Sequence, residues 1–326
     1  MNKNHSVFDY LREYYHNVLL KTKSGEKALH YLLNRGINEE MIKKFRLGYS
    51  PANSKSTIQF LKKKGFGINE LIELGILKKY ESGQYKGKVT DPFKNRVIFP
   101  LNNENGKTLG FAGRALDENN KIKYYNSPES DLFKKGNLLY GLDVSADSIQ
   151  KYGFAILFEG YFDCIAAHQF GITNSIATMG TALTQDQAAL LKKVTNNVVI
   201  VFDGDDAGIN ASFRTAALLK NVGCNVKIAY IPEGLDPDDY LKKYGSNQLI
   251  KKVIGSAKPI HLKLIEYKKS KHDLSSPNGR YDFASDVISE VTLMGDREEL
   301  RKTLRILEGV LNISLKTINE EIQQRV

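Results

Sequence analysis

Three pairs of acidic residues stand where short apolar runs end. Glu159 and Asp163 follow Phe154-Ala-Ile-Leu-Phe158. Asp203 and Asp205 follow Val198-Val-Ile-Val-Phe202, and Asp236 and Asp238 follow Val226-Lys-Ile-Ala-Tyr-Ile231 and a short turn with Pro232 and Gly234. Apolar runs this short, bounded by turn residues, read as buried strands. Acids at the ends of such strands converge on one sheet edge, where unneutralised carboxylates repel one another. A divalent cation relieves that repulsion. The chemistry this predicts is metal-dependent work on phosphates.

Each pair has a plainer reading. Asp203-Gly-Asp-Asp-Ala-Gly208 is also a tight turn followed by Asp206 as the N-cap of the next helix. Asp163 falls in the first turn of a helix, where it caps or pairs with a cation. Asp238 and Asp239 equally suit a helix start. Glu159, set against a buried run, serves as a metal ligand or as a proton acceptor if its pKa is raised. The three clusters together favour the metal. Mg²⁺ takes one or two protein carboxylates and completes its shell with water and phosphate oxygens, so the absence of His or Cys partners fits. Ala177-Thr-Met-Gly-Thr-Ala-Leu-Thr184 is a small loop between a strand and a helix. It suits phosphate approach through backbone N–H groups, but no Gly-Lys-Ser/Thr follows to make a P-loop.

The elements that must position these acids alternate from residue 152 to about 250. Strands at 154–158, 174–177, 198–202 and 225–231 enclose helices near 161–169, 184–193 and 207–221, the pattern of a parallel α/β sheet. Residues 1 to about 80 carry helical periodicity. Their Phe8, Leu11, Tyr14, Tyr15, Val18 and Leu19 stripe reads as core rather than as a base-stacking face. From 85 to 140, Val97–Leu101 and Thr108–Ala112 are strand-like around the turn Asn102-Asn-Glu-Asn-Gly106. Between Lys86 and Lys135 stand ten Lys and Arg against six Asp and Glu. Arg96, Arg114, Lys123 and Lys135 are spread over strands and loops and can line a groove for a phosphate backbone, with Asn126 available to a base or sugar. Tyr124 and Tyr125 can stack on bases, although one of two adjacent strand residues normally faces the core. After about 250 the pattern is helical, with Ser275–Gly279 an interhelical loop and Lys268-Lys-Ser-Lys271 a solvated helix end. The partition expected is 1–150, mixed α+β with the basic groove; 151–250, the metal-binding α/β part; and 251–326, helical.

Composition sets the outer limits. The 326 residues, 41% hydrophobic, suffice for sizeable cores in two or three domains. A net charge of +10 favours a polyanionic partner or is a surplus of solubilising lysines. Two cysteines, Cys164 and Cys224, build neither a disulfide framework nor a zinc site, which suits a reducing cytoplasm. No run approaches the ~18 apolar residues of a membrane span. His168 sits in a helix behind the acids and reads as structural.

The acidic pattern resembles the Toprim signature: Glu after one strand, Asp-x-Asp after another, and a third acidic cluster. With Asn95-Arg-Val-Ile-Phe-Pro100, Gly110-Phe-Ala-Gly-Arg114, Lys123-Tyr-Tyr-Asn-Ser-Pro-Glu129, Phe133-Lys-Lys-Gly136, Leu139-Tyr-Gly-Leu142, Glu159-Gly-Tyr-Phe-Asp163 and Thr178-Met-Gly-Thr-Ala182, the chain resembles the bacterial replicative DNA primase family of the DnaG type. The resemblance implies a Toprim-like parallel sheet between a mixed α+β part and a helical part. It implies DNA-templated synthesis of short RNA primers from ribonucleoside triphosphates, with Glu159, Asp203 and Asp205 catalytic and Asp236 and Asp238 completing a Mg²⁺ or Mn²⁺ site. It further implies single-stranded DNA as template and alarmone nucleotides as inhibitors. A Toprim nuclease using the same acids is the alternative. Full-length members are expected to add a zinc module and a helicase-docking domain. Neither is visible here, so a catalytic-core fragment or a reduced protein is expected.

Overall fold

The computed structural model describes residues 3–117, 119–180, 182–312 and 314. Two compact units divide the chain: Met1–Ser148 with Gly160–Met179, and Ile149–Glu159 with Gly180–Val326.

The first unit begins with the helices α1 (Lys3–Lys21), α2 (Glu26–Asn34) and α3 (Glu39–Lys44). Strand β1 (Gly48–Ser50) and helices α4 (Ser54–Lys63) and α5 (Ile68–Glu73) follow. Strands β2 (Lys78–Lys79), β3 (Val89–Thr90), β4 (Arg96–Asn102), β5 (Thr108–Ala115) and β6 (Tyr124–Asn126) come next. Helix α6 (Leu142–Tyr152) contains the unit boundary, and α7 (Tyr161–Gln169) and β8 (Ser175–Ala177) belong to the first unit. The intervening β7 (Ala155–Phe158) belongs to the second.

The α1 stripe is core, as its spacing predicts. Phe8, Leu11 and Tyr15 are almost fully buried, and the Tyr15 ring meets Phe111 edge-on at 5.5 Å. The antiparallel sheet β1-β4-β5-β6 lies against this stripe. Helical periodicity alone missed β1, because Gly-Tyr-Ser is too short to show alternation; β4 recruits it through Gly48↔Ile98 and Ser50↔Arg96. Buried Asp91 ties the layers together. It accepts hydrogen bonds from Tyr15 Oη at 3.0 Å, Ser50 Oγ at 2.6 Å and the Phe93 N–H at 2.8 Å.

The second unit contains β7, α8 (Gln185–Val194), β9 (Asn197–Phe202), α9 (Asp206–Asn221), β10 (Asn225–Tyr230) and α10 (Pro237–Gln248). It ends with β11 (Lys258–Pro259), α11 (Ile260–Lys269), α12 (Pro277–Leu293) and α13 (Arg297–Leu311). Strands β7, β9 and β10 pair in parallel, and β11 adds antiparallel to β10. Ser275–Gly279 is shorter as a loop than its composition implies: Ser276 caps α12, accepting from the Gly279 N–H, and Pro277 is the first helical residue.

The helices α11 and α13 meet α9 through a buried ion cluster. Glu299 accepts from His261 Nδ1 at 2.6 Å and lies 3.2 Å from Lys220 Nζ. Burial alone would raise the Glu299 pKa, but His261 and Lys220 outweigh it and pull the carboxyl down to about 2. A depressed folded-state pKa stabilises above the unfolded value and is lost as pH falls through the folded one. Glu299→Gln is therefore expected to cost about 2 kcal/mol at pH 7, with the gap from the parent narrowing from pH ~4.5 downward. Urea unfolding across this pH range checks it, and a gap that does not change with pH would remove the charge from the explanation.

Candidate functional site

The strands of the second unit end in register, and their acids follow directly. Tyr230 pairs with Phe202, and Leu157 with Ile200. Glu159 comes one residue after β7 and Asp203 one residue after β9. Parallel strands buried on both faces are apolar throughout, so the first polar residue appears where the strand leaves the sheet.

Two cavities open at this edge. One, of about 290 Å³, is lined by Glu159, Gly180, Ala182, Asp203, Asp205 and Arg214 among others. The other, of about 220 Å³, is lined by Asp203, Gly204, Asp205, Gly234, Leu235, Asp236 and Asp239. Asp203 and Asp205 line both. Glu159 Oε1 is buried without a hydrogen-bond partner among the described residues. Its pKa is raised, first by burial and then by the Asp203 charge. Asp203 is raised as well, by burial and then by Asp236 and Asp205. Clustered carboxylates whose charges disfavour ionisation of Glu159 and Asp203, with one oxygen of Glu159 orphaned, form a donor set suited to a hard cation. Asp236, Asp238 and Asp239 offer oxygens all within 4.8 Å of one another.

The local turns differ in detail from the expectation. Asp205, not Asp206, is the N-cap of α9, with Oδ1 accepting from the Gly208 N–H at 2.7 Å. Gly204 is required by space rather than by an unusual torsion: a Cβ there would stand 2.5 Å from the Ile231 carbonyl oxygen. Gly208 is equally constrained, since its Cβ would meet the Asp203 carbonyl oxygen at 2.4 Å. The Gly204 approach presses the β9 turn against the segment that follows β10, and the Gly208 approach packs the start of α9 against the same turn. Asp236 caps α10 through the Asp239 N–H at 2.7 Å. Asp238 is 1% exposed, lies 2.7 Å from Lys242 Nζ and lines neither cavity, whereas its neighbour Asp239 lines the second. Asp163 takes its capping role, with Oδ2 accepting from the Gly160 N–H. In the small loop, the Gly180 N–H donates to the Glu159 carbonyl oxygen, and Thr181 lies outside the described residues. A larger cavity, about 590 Å³, lies at the opposite ends of these strands beside Gly153, Asn197 and Asn225 and holds none of the clustered acids.

The basic candidates all belong to the first unit. Register pairs Arg114 with Tyr124 and Ala112 with Asn126 across β5 and β6. Arg114 Nη1 donates to Tyr124 Oη at 2.5 Å, and Lys123 is exposed beside them. Tyr125 faces the other way and packs against Phe93 at 5.1 Å, which leaves Tyr124 as the exposed member of the pair. Asn126 Oδ1 accepts from Tyr161 Oη at 3.2 Å. Arg96 is placed differently. It is 6% exposed, and its Nη1 donates to the carbonyl oxygens of Gly113 and Lys123. Lys135 is half-buried, and its backbone N–H donates to Glu129. Sequence reading missed Arg35, whose guanidinium lies 4.4 Å from the centre of the Phe162 ring, with Arg114 5.3 Å from it. The Tyr-Phe of Glu159-Gly-Tyr-Phe-Asp163 was the available signal, because a ring in the first turn of a helix offers a face that a cation can cover. His168 is structural: its Nδ1 lies 2.9 Å from Lys44 Nζ, and burial followed by that charge lowers its pKa to about 4.

Residues 14–146 match a model described as DNA primase catalytic core, N-terminal domain, and residues 156–241 match a Toprim-like one. A solved structure of the DnaG primase catalytic domain bound to ssDNA superposes with a TM-score of 0.78 at 31% identity, over 95% of this chain and 96% of that one. The chain belongs to the DnaG primase family. The Aquifex aeolicus primase structure, with zinc-binding and RNA polymerase domains, gives a TM-score of 0.80 at 32% identity, over 97% of this chain and 74% of that one. A DNA primase of Halalkalibacterium halodurans is 39% identical over 97% of this chain and 52% of its own length. The chain thus spans about half the length of the curated relatives it matches. The mixed α/β fold with its parallel Toprim-like sheet is that of DnaG catalytic cores, and no described helix is long and apolar enough to cross a membrane.

Replacing Arg114 with Ala should weaken binding of a single-stranded DNA oligomer and flatten the slope of log K against log salt by about 1, the signature of one lost phosphate contact. Fluorescence anisotropy at several salt concentrations measures both. An unchanged slope would remove Arg114 from the backbone contacts.

Proposed function

We propose that this chain carries out DNA-templated synthesis of short RNA primers from ribonucleoside triphosphates. The observation that carries this is the pair of cavities sharing Asp203 and Asp205 at the ends of parallel strands, in a chain of the DnaG family. The proposed ligands of Mg²⁺ or Mn²⁺ are Glu159, Asp203, Asp205, Asp236 and Asp238, and Asp239 joins them as a cavity-lining acid. A bound divalent cation supplies charge neutralisation to the transferring phosphate and activates the attacking hydroxyl. The chain's own work is positional. The Asp205 cap fixes one carboxylate, the glycine approaches fix Asp203, and Glu159 is the candidate ligand or proton acceptor.

The template strand is assigned to the first unit, with Arg114 and Lys123 on phosphates, Asn126 on a base or sugar and Tyr124 as a stacking ring. Arg96 holds the sheet beneath them, and Lys135 adds charge. The working division remains a basic part in 1–150, a catalytic part in 151–250 and a helical part in 251–326. A triphosphate site of this kind also accepts guanosine tetra- and pentaphosphate as competitors. Cytoplasmic replication, with a helicase engaged by full-length members of the family, is the setting of this function.

The decisive variant is Asp205→Asn. Asn caps a helix as well as Asp does, so α9 keeps its start while the charge is lost. Primer synthesis should fall by about two orders of magnitude or more, with thermal stability nearly unchanged. Synthesis at parental rates would defeat the assignment. Cleavage of labelled single-stranded DNA with Mg²⁺ and no nucleotides would favour a Toprim nuclease instead.

A further inference from the structure

The β9 turn carries a third carboxylate that the two cavities do not use. Asp203 and Asp205 line both, and Asp206, one residue further, lines neither. A free carboxylate so close to two cation ligands competes for the ion, because a hard cation takes whichever oxygens reach it. Asp206 is not free. Lys271 Nζ lies 2.9 Å and 3.0 Å from its two carboxylate oxygens, and Tyr267 Oη donates to Oδ1 at 3.0 Å.

Both partners come from the C-terminal end of α11 and the turn after it, and both are anchored. The Tyr267 ring stands 6.1 Å from Phe213 on α9. Lys271 Nζ lies 5.4 Å from the Tyr267 ring centre. In the same segment, Lys268 is held by Asp286 at 2.9 Å and by Glu290 at 3.7 Å. Asp206 and Lys271 are largely exposed, and an exposed ion pair adds little to stability. What the contact does is fix where a carboxylate points.

We propose that Lys271 and Tyr267 are positioning residues that hold Asp206 out of the divalent-cation site, so that the turn presents Asp203 and Asp205 alone. The inference rests on the metal assignment made above. It gives the helical region a part in the chemistry without contact to substrate, and it turns a lysine that reads as a solvated helix end into a selector of ligands.

The test is a double-mutant cycle read by Mn²⁺ calorimetry and by primer synthesis at saturating nucleotide. Lys271→Met should tighten Mn²⁺ binding about threefold or more, as an unpaired negative charge is released beside the ion, and should slow synthesis about fivefold. Asp206→Asn alone should match the parent in both. Asp206→Asn with Lys271→Met should restore parental Mn²⁺ affinity and rate, and Lys271→Arg should retain them. Parental behaviour of Lys271→Met overturns the inference, and so does a double variant as slow as Lys271→Met. Asp203→Asn is measured alongside. If it binds Mn²⁺ like the parent, the metal assignment itself fails. If it loses binding while Lys271→Met stays parental, only the positioning role fails.

Discussion

Mutual repulsion among carboxylates at one sheet edge is the constraint that the second unit is built to withstand. Burial and the charges of Asp203 and Asp205 raise the cost of ionising Glu159, and burial with Asp236 and Asp205 does the same to Asp203. In a chain free to relax they would separate. They are kept together by what lies behind them: Leu157, Phe158, Val201, Phe202 and Ala229 are buried in the strands they follow. Each fully buried large side chain contributes about 1.5–3 kcal/mol. Several such residues per strand outweigh the repulsion of partly screened charges, and the edge stays charged and ready for a cation.

The same turns show how few degrees of freedom the acids retain. Gly204 and Gly208 sit where a methyl group would strike a carbonyl oxygen. Asp205 and Asp236 each spend one oxygen on a helix cap and leave the other for a ligand. A cap residue is thus also a metal-ligand candidate, because the N-terminus of a helix needs an acceptor and a hard cation needs oxygens. The cap and the metal, which stand as rival readings of these turns, are compatible uses of one carboxylate.

The basic surface follows a different logic. Cross-strand pairing of β5 and β6 sets Arg114 beside Tyr124, while the alternation that exposes Tyr124 turns Tyr125 onto Phe93 at the edge of the core. Arg96 reads in sequence like the other cations, yet it satisfies two backbone carbonyls. Composition counts both arginines alike. Whether a guanidinium meets a phosphate or closes a sheet depends on which backbone groups the neighbouring strands leave unpaired.

Much of this protein was legible in its residues. The alternation of apolar runs and helical segments from 152 onward, the acids at strand ends and the helical stripe of α1 all rest on local periodicity, and periodicity is a property of the chain itself. Other features were not legible. Strand β1 exists because β4 pairs with it, Gly204 is needed because Ile231 comes near, and Asp238 is buried while Asp239 lines a cavity because of how α10 lies. Lys271 meets Asp206 across 65 residues of chain. Such facts depend on which distant segments become neighbours. Local sequence sets what each residue is able to do, and only the packed chain decides which of those abilities finds a partner.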